Sequence, residues 1–173
     1  MRRKLIIWAP LVVFAVFVIV VAINLRSPAD RTIRSRLVGQ PVPEFALPAA
    51  LPGRATVAAP APGPRMVNIF ASWCVPCIAE APHLMTLKAR GVPIDAVAIR
   101  DRPEDIADFL NRYGDPYRGI GLDADSRVQV SLGSSGVPET FIVDGNGIIR
   151  FQHIGPIAES DVAVILAAYE AAR

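Results

Sequence analysis

At 173 residues the chain has room for one domain and an appendage. Its formal charge is +2, but Arg2, Arg3 and Lys4 supply three of the positive charges, which leaves the rest slightly acidic. That distribution argues against a basic nucleic-acid surface, and the histidines that would have to complete a zinc site with the two cysteines, His83 and His153, lie far apart in sequence, which disfavours one.

After "MRRK" comes "LIIWAPLVVFAVFVIVVAI", residues 5–23, without a charge. As a helix this run reaches roughly 28 Å, the thickness of a bilayer core. Pro10 lies near its start, where a missing N–H costs least. The cationic residues before the span predict a cytoplasmic N-terminus and a domain across the membrane. A cleaved signal peptide competes with this reading. The run is long for a signal peptide's apolar core, however, and "VAINLRSPAD" lacks an A-x-A cleavage site. The expected organisation is a cytoplasmic N-terminus and transmembrane anchor over 1–25, a tether over 26–36 and a domain over 37–173 on the outer, oxidising side.

In chain order, "PVPEFALPAALPGRATVAAPAPGPR" is rich in Pro and Ala and predicts short edge strands or extended loop through Pro64. "MVNIF", residues 66–70, reads as a buried strand. A helix follows Cys74 to about Arg90, with Ile78, Ala81, Met85 and Leu84, Leu87 on its apolar stripe and Gly91 closing it. "IDAVAI", residues 94–99, is a second strand. Asp101 and Glu104 resemble a capping box for a helix bearing Ile106, Phe109, Leu110 and Tyr113 and ending at Gly114. "ETFIV" and "IIRFQHI" flank the hairpin signal "DGNG", residues 144–147. Ser160 is positioned to cap a last helix presenting Val162, Ile165, Leu166 and Tyr169. The order β-α-β-α-β-β-α predicts an α/β fold with a mixed sheet.

Both cysteines lie in "NIFASWCVPCIAEAP", where a buried strand gives way to a helix. The N–H groups and dipole at a helix start stabilise an anion, and thiolate is the species that attacks disulfides. Cys74 is expected to face the entrance with Cys77 one turn in. Pro76 fits the first turn, where its missing N–H is tolerated. A c-type haem attachment needs His directly after the second cysteine, where Ile78 stands. A structural disulfide across so short a loop would gain little from loop closure. Redox exchange is the reading the pair favours.

Glu80 follows Cys77 by three residues and shares its helix face. Surrounded by Ile78, Ala79, Ala81 and Pro82, it is either a desolvated acid that passes protons to and from Cys77 or an ordinary solvated helix glutamate. Pro82 is expected to bend the helix. Pro138, in "SSGVPETF" before a strand, marks an edge, a bulge or a cis turn.

"NIFASWCVPC", the later "GVPETFIVDGNGIIRF" and the earlier "LVGQPVPEFALP" together resemble one branch of the thioredoxin fold. This is the DsbE or CcmG family of membrane-anchored thiol:disulfide interchange proteins of cytochrome c biogenesis, and the similarity runs from anchor to final helix. The resemblance implies a single-pass bacterial inner-membrane protein with a monomeric periplasmic domain and no cofactor. It implies a protein-disulfide reductase that keeps the CxxCH cysteines of apocytochrome c reduced for haem attachment. Its mixed-disulfide partners would be apocytochrome c or a haem-ligation subunit, and its electron donor a transmembrane thiol reductase.

By the same resemblance Cys74 is the exposed nucleophile, Cys77 the resolving thiol, Cys74–Cys77 the redox disulfide and Glu80 the acidic residue beneath the pair. Trp73, Pro76, Val137, Pro138, Glu139 and Thr140 become partner-contact residues, with Pro138 cis and Val137 offering backbone groups to an extended substrate. Trp73 is equally compatible with a packing role at the strand end. The chain departs from its relatives at Phe70, where they often have Trp, and at Ile99, Arg100 and Asp101, where a Tyr–Lys–Asp-like segment is common. Oxidising relatives often carry His between the cysteines. Val75 and Pro76 carry no charge, and an acid at Glu80 disfavours thiolate, so both features predict a reductant.

Overall fold

The computed structural model describes residues 10–19 and 37–173. Residues 10–19 form a helix, α1, whose side chains, Leu11, Phe14 and Phe17 among them, are exposed. Among the described residues no helix is long and apolar enough to cross a membrane. The two ends of the expected span over 5–23, and the expected tether over 26–36, lie outside the described residues.

The domain is built from β1 (Phe45–Leu47), β2 (Val57–Ala59), β3 (Arg65–Phe70), α2 (Val75–Ala89), β4 (Ile94–Ile99) and α3 (Pro103–Tyr113). There follow β5 (Gly119–Asp123), α4 (Arg127–Ser131), β6 (Glu139–Val143), β7 (Ile149–Ile154) and α5 (Glu159–Ala171). The main sheet has the order β5-β4-β3-β6-β7. β3 runs parallel to β4 and antiparallel to β6, so the sheet is mixed, as expected. Every residue of β3, β4 and β6 is buried, which explains their nearly unbroken apolar sequences.

Asn68 and Phe70 share one face of β3. Asn68 bonds to Glu80 of α2 and Phe70 packs on Phe109 of α3, so both helices cover that face. The other face is covered over β5 by the β1–β2 hairpin, and this is why β5 reads GIGLD. A Cβ at Gly121 would lie 2.7 Å from Leu47 Cβ, closer than real Cβ atoms approach their neighbours. At the sheet end away from the cysteines, the buried Arg65 guanidinium donates to the carbonyls of Ala58 and Ala61 at 3.0 Å each. It pairs with Asp95, which also takes Arg118 at 2.7 Å.

Several expectations are corrected. The element order omits β5 and α4: two glycines erase the β-branched signal of the first, and the second is too short for helical periodicity. Asp101 does not cap α3, whose N-cap is Arg102, because its carboxylate is turned toward Ser72. Ser160 does not cap α5. The N-cap is Ala158, whose N–H donates to Asp161 Oδ2 at 2.9 Å. The buried residues of α2 are Cys77, Glu80, Ala81, Leu84 and Leu87, so Met85, expected on the apolar stripe, is turned outward.

Candidate active site

β3 delivers the chain to the end of the sheet, and Ala71, Ser72 and Trp73 turn it into α2. Cys74 is the N-cap of that helix, with extended φ −86° and ψ 107°. Its Sγ accepts the N–H of Cys77 at 3.2 Å, and no acidic residue sits in the first turn to cancel the positive field there. Pro76, in the first turn, is exposed. Cys74 and Cys77 are joined as a disulfide, with Cα atoms 5.3 Å apart.

In this disulfide form Cys74 is buried, as is Cys77. The residue is 4% exposed against 1% for Cys77, so the expectation of a freely outward Cys74 is corrected for this oxidised form. What stands clear around it is Trp73 at 57% and Val75 at 74% exposure.

The approach loop is tied to the turn after β4. Asp101 accepts the Ser72 N–H at 2.6 Å and its hydroxyl at 2.7 Å, and Trp73 Nε1 donates to the Arg100 carbonyl at 3.2 Å. Arg100 has φ 45°, a left-handed conformation that presents its carbonyl to the indole. Trp73 thereby forms one wall of a groove of about 460 Å³, shared with Ser72, Ile78, Phe109, Arg112 and Tyr113.

Glu80 is completely buried, so it is not the solvated helix glutamate of the alternative reading. Its Oε1 accepts from Asn68 Nδ2 at 3.0 Å and its Oε2 from the Ile157 N–H at 3.1 Å. Burial pushes the carboxyl up to about 7, against the opposing pull of those two donors. Asn68 Nδ2 also donates to Thr140 Oγ1 at 3.1 Å, and Asn68 Oδ1 accepts from the Tyr117 hydroxyl at 2.9 Å. Burial raises the Tyr117 phenol well above its ordinary value, with the Glu80 charge adding to the effect.

The Val137–Pro138 bond is cis. β6 begins opposite Ile69, at Glu139, so these two residues occupy the same end of the sheet as the cysteine loop. Pro138 is buried and Val137 half-buried. Glu139 and Thr140, expected to contact partners, are buried and turned inward, and the expectation is corrected. Glu139 Oε2 accepts the Ser135 N–H at 3.0 Å and Oε1 accepts from Gln152, while Thr140 receives the Asn68 amide. They shape the loop from within.

Sequence reasoning did not single out Asn68, Tyr117 or the anchoring role of Asp101. The available signal was Asn68, a polar residue in an otherwise apolar strand six residues before Cys74.

A family model described as Redoxin matches residues 37–168. The chain is 37% identical over 140 residues to a thiol:disulfide interchange protein DsbE homolog of Paracoccus denitrificans, covering 79% of this chain and 76% of the relative. It is 34% identical over 165 residues to thiol:disulfide interchange protein DsbE of Escherichia coli, covering 91% and 88%. Among solved structures it is similar to a Chlorobium tepidum protein described as a DsbE-type thiol:disulfide interchange protein. There the TM-score is 0.68 and the identity 25%, with 78% of this chain and 96% of that one covered. A thio-disulfide isomerase of Thermus thermophilus gives a TM-score of 0.60 at 28% identity, covering 76% and 96%.

Proposed function

Because this chain belongs to the Redoxin family and is a thiol:disulfide oxidoreductase of the DsbE type with a thioredoxin-like fold, we propose that it works as a reductant, delivering electrons to the CxxCH disulfide of apocytochrome c before haem attachment. The observation that carries this reading is a charge-neutral Val75–Pro76 pair between the cysteines together with the fully buried acid Glu80 on the same helix. Neither feature favours a stored thiolate, so the dithiol gives up its electrons readily.

In the forward reaction the Cys74 thiolate attacks one sulfur of the substrate disulfide, and the other substrate sulfur leaves as thiolate. The Cys77 thiol loses its proton to the Glu80 carboxylate and attacks Cys74 Sγ, breaking the mixed disulfide and expelling the second substrate thiolate. Two electrons have then left the protein, which holds the Cys74–Cys77 disulfide. The leaving thiolates take up two protons, one of them routed from Cys77 through Glu80. A transmembrane thiol reductase returns the electron pair and resets both cysteines.

The resemblance of the N-terminal segment to a signal anchor supports a single-pass inner-membrane location with the domain in the periplasm. Exposed Trp73 and Pro76, with the backbone around Val137 and Pro138, are the proposed partner contacts. Equilibration with glutathione gives the reduction potential. A value well below that of the strong oxidant DsbA, about −120 mV, supports the reading, and a value near it sinks the reading. Deleting the gene and assaying c-type cytochromes separates this substrate from others, since intact cytochromes would point to a general reductant of exported proteins.

A further inference from the structure

We infer that Asn68 and Tyr117 are positioning residues for the exchange, together holding the Glu80 carboxylate in place one turn beyond Cys77. The inference rests on the reading of Glu80 as the proton acceptor for Cys77, and it explains why β3 carries a buried amide within the apolar run that follows Arg65.

The hydrogen bonds have one consistent direction. A carboxylate only accepts, so the Asn68 group 3.0 Å from Glu80 Oε1 is the amino group. Its second hydrogen goes to Thr140 Oγ1, and the carbonyl oxygen is left to the Tyr117 hydroxyl at 2.9 Å. A flipped amide would set its oxygen against the carboxylate, and the Tyr117 hydroxyl would have to accept where it now donates. By donating to the amide oxygen, Tyr117 supports the one orientation in which Asn68 donates to Glu80. The tyrosine ring is itself held against Phe70, with centroids 5.0 Å apart. None of the groups is exposed to water, so no solvent molecule substitutes for a lost donor at low cost.

The groups facing the carboxylate are few. From β3 there is Asn68, from the segment before β5 Tyr117, and from the loop before α5 the Ile157 N–H, while Cys77 precedes Glu80 by three residues on the buried face of the same helix. The other nearby acids are engaged elsewhere: Glu139 with Ser135 and Gln152, and Asp161 with the Ala158 N–H. The state of Glu80 is thus governed by the donors aimed at it.

The test uses the full chain labelled with carbon-13 at the glutamate carboxyls. The Glu80 signal is identified by its loss in Glu80→Gln, and its titration midpoint is followed alongside the pH profile of reduction of a peptide disulfide. Asn68→Leu, similar in shape but without donors, should raise the midpoint by about one pH unit. Tyr117→Phe, the milder change, should raise it by less, and in both variants the rate limb that depends on Glu80 should move with it. Val67→Ala disturbs the packing of the same strand on the face opposite Asn68 without touching Tyr117 or a donor, and should leave the midpoint where it is.

Unmoved midpoints in Asn68→Leu and Tyr117→Phe, or an equal movement in Val67→Ala, overturn the inference. A Glu80→Gln rate profile identical to wild type instead overturns the proton-acceptor reading, while the carboxyl midpoints still decide whether Asn68 and Tyr117 set the state of Glu80.

Discussion

The N–H of Cys77 points at the sulfur of Cys74 across 3.2 Å, so the first turn of α2 donates to the atom that must carry charge during exchange. The same turn gives Cys77 no comparable donor, and the residue is buried deeper. In the reduced protein, Cys74 should be alkylated at neutral pH at least about tenfold faster than Cys77. Cys77→Ser should accumulate a mixed disulfide with a disulfide-bonded peptide, and Cys74→Ser should accumulate none. Mass spectrometry reads both. Equal labelling of the two thiols would show that the helix start does not select the nucleophile.

Glu80 links stability to pH. Its carboxyl titrates near 7 in the folded protein against 4.5 for an ordinary one, so the fold favours the protonated form. That contribution is complete below pH 4.5 and is lost as the pH rises through about 7. Glu80→Gln cannot ionise and should not show the loss. Between pH 4.5 and 8.5 the stability of the variant should gain on wild type by an amount on the order of 3 kcal/mol. Urea unfolding of the oxidised proteins at several pH values checks this, and parallel curves would show that Glu80 is not desolvated in solution.

Much of this site was legible in the chain, for physical reasons that differ from residue to residue. Cys74 and Cys77 announce themselves because a buried strand ending in a CxxC at a helix start leaves few chemical readings. The β6–β7 hairpin was legible because DGNG supplies its own turn. Glu80 was ambiguous, since helix periodicity says which face a residue occupies but not how much covers that face. Asn68 and Tyr117 were invisible because their meaning lies in a contact across 49 positions of sequence. The hairpin contact that makes β5 glycine-rich is equally non-local, and it removed the pattern that would have revealed the strand. The burial of Cys74 in the disulfide form was not legible, because a place at the helix start does not say what covers the residue.

The tether between Ser72 and Asp101 makes the approach loop a consequence of a carboxylate beyond β4. Asp101 accepts two hydrogen bonds from Ser72 and one from the Arg102 N–H at 2.9 Å. Asp101→Ala removes all three and should cost about 1–2 kcal/mol, with Ser72 half-exposed and able to recover some hydration. It also frees the segment that carries Trp73 beside Arg100. The rate of peptide-disulfide reduction should fall while the reduction potential stays near wild type, because the cysteines and Glu80 are untouched. A stopped-flow assay paired with glutathione equilibration separates the two quantities. A shifted potential with an unchanged rate would mean that Asp101 acts on the pair and not on the loop.

Gly121 tests whether the β1–β2 hairpin is a docked part of the domain or an attachment of little consequence. A methyl group there would meet Leu47 Cβ at 2.7 Å, Leu47 Cδ1 at 3.0 Å and Val57 Cβ at 3.1 Å, and two of these three atoms are Cβ carbons bonded directly to the backbone. Such atoms do not swing aside as the end of a long side chain does, so the hairpin must shift as a unit or the strand must bend. Gly121→Ala should therefore cost about 1–3 kcal/mol despite adding only one carbon. The cause is identified by the double variant. If steric pressure on Leu47 is responsible, Leu47→Gly, which removes both Cβ and Cδ1, should in the Gly121→Ala background cost less than the sum of the two single changes. If the two losses simply add, the hairpin does not press on β5, and the glycines of GIGLD need another explanation.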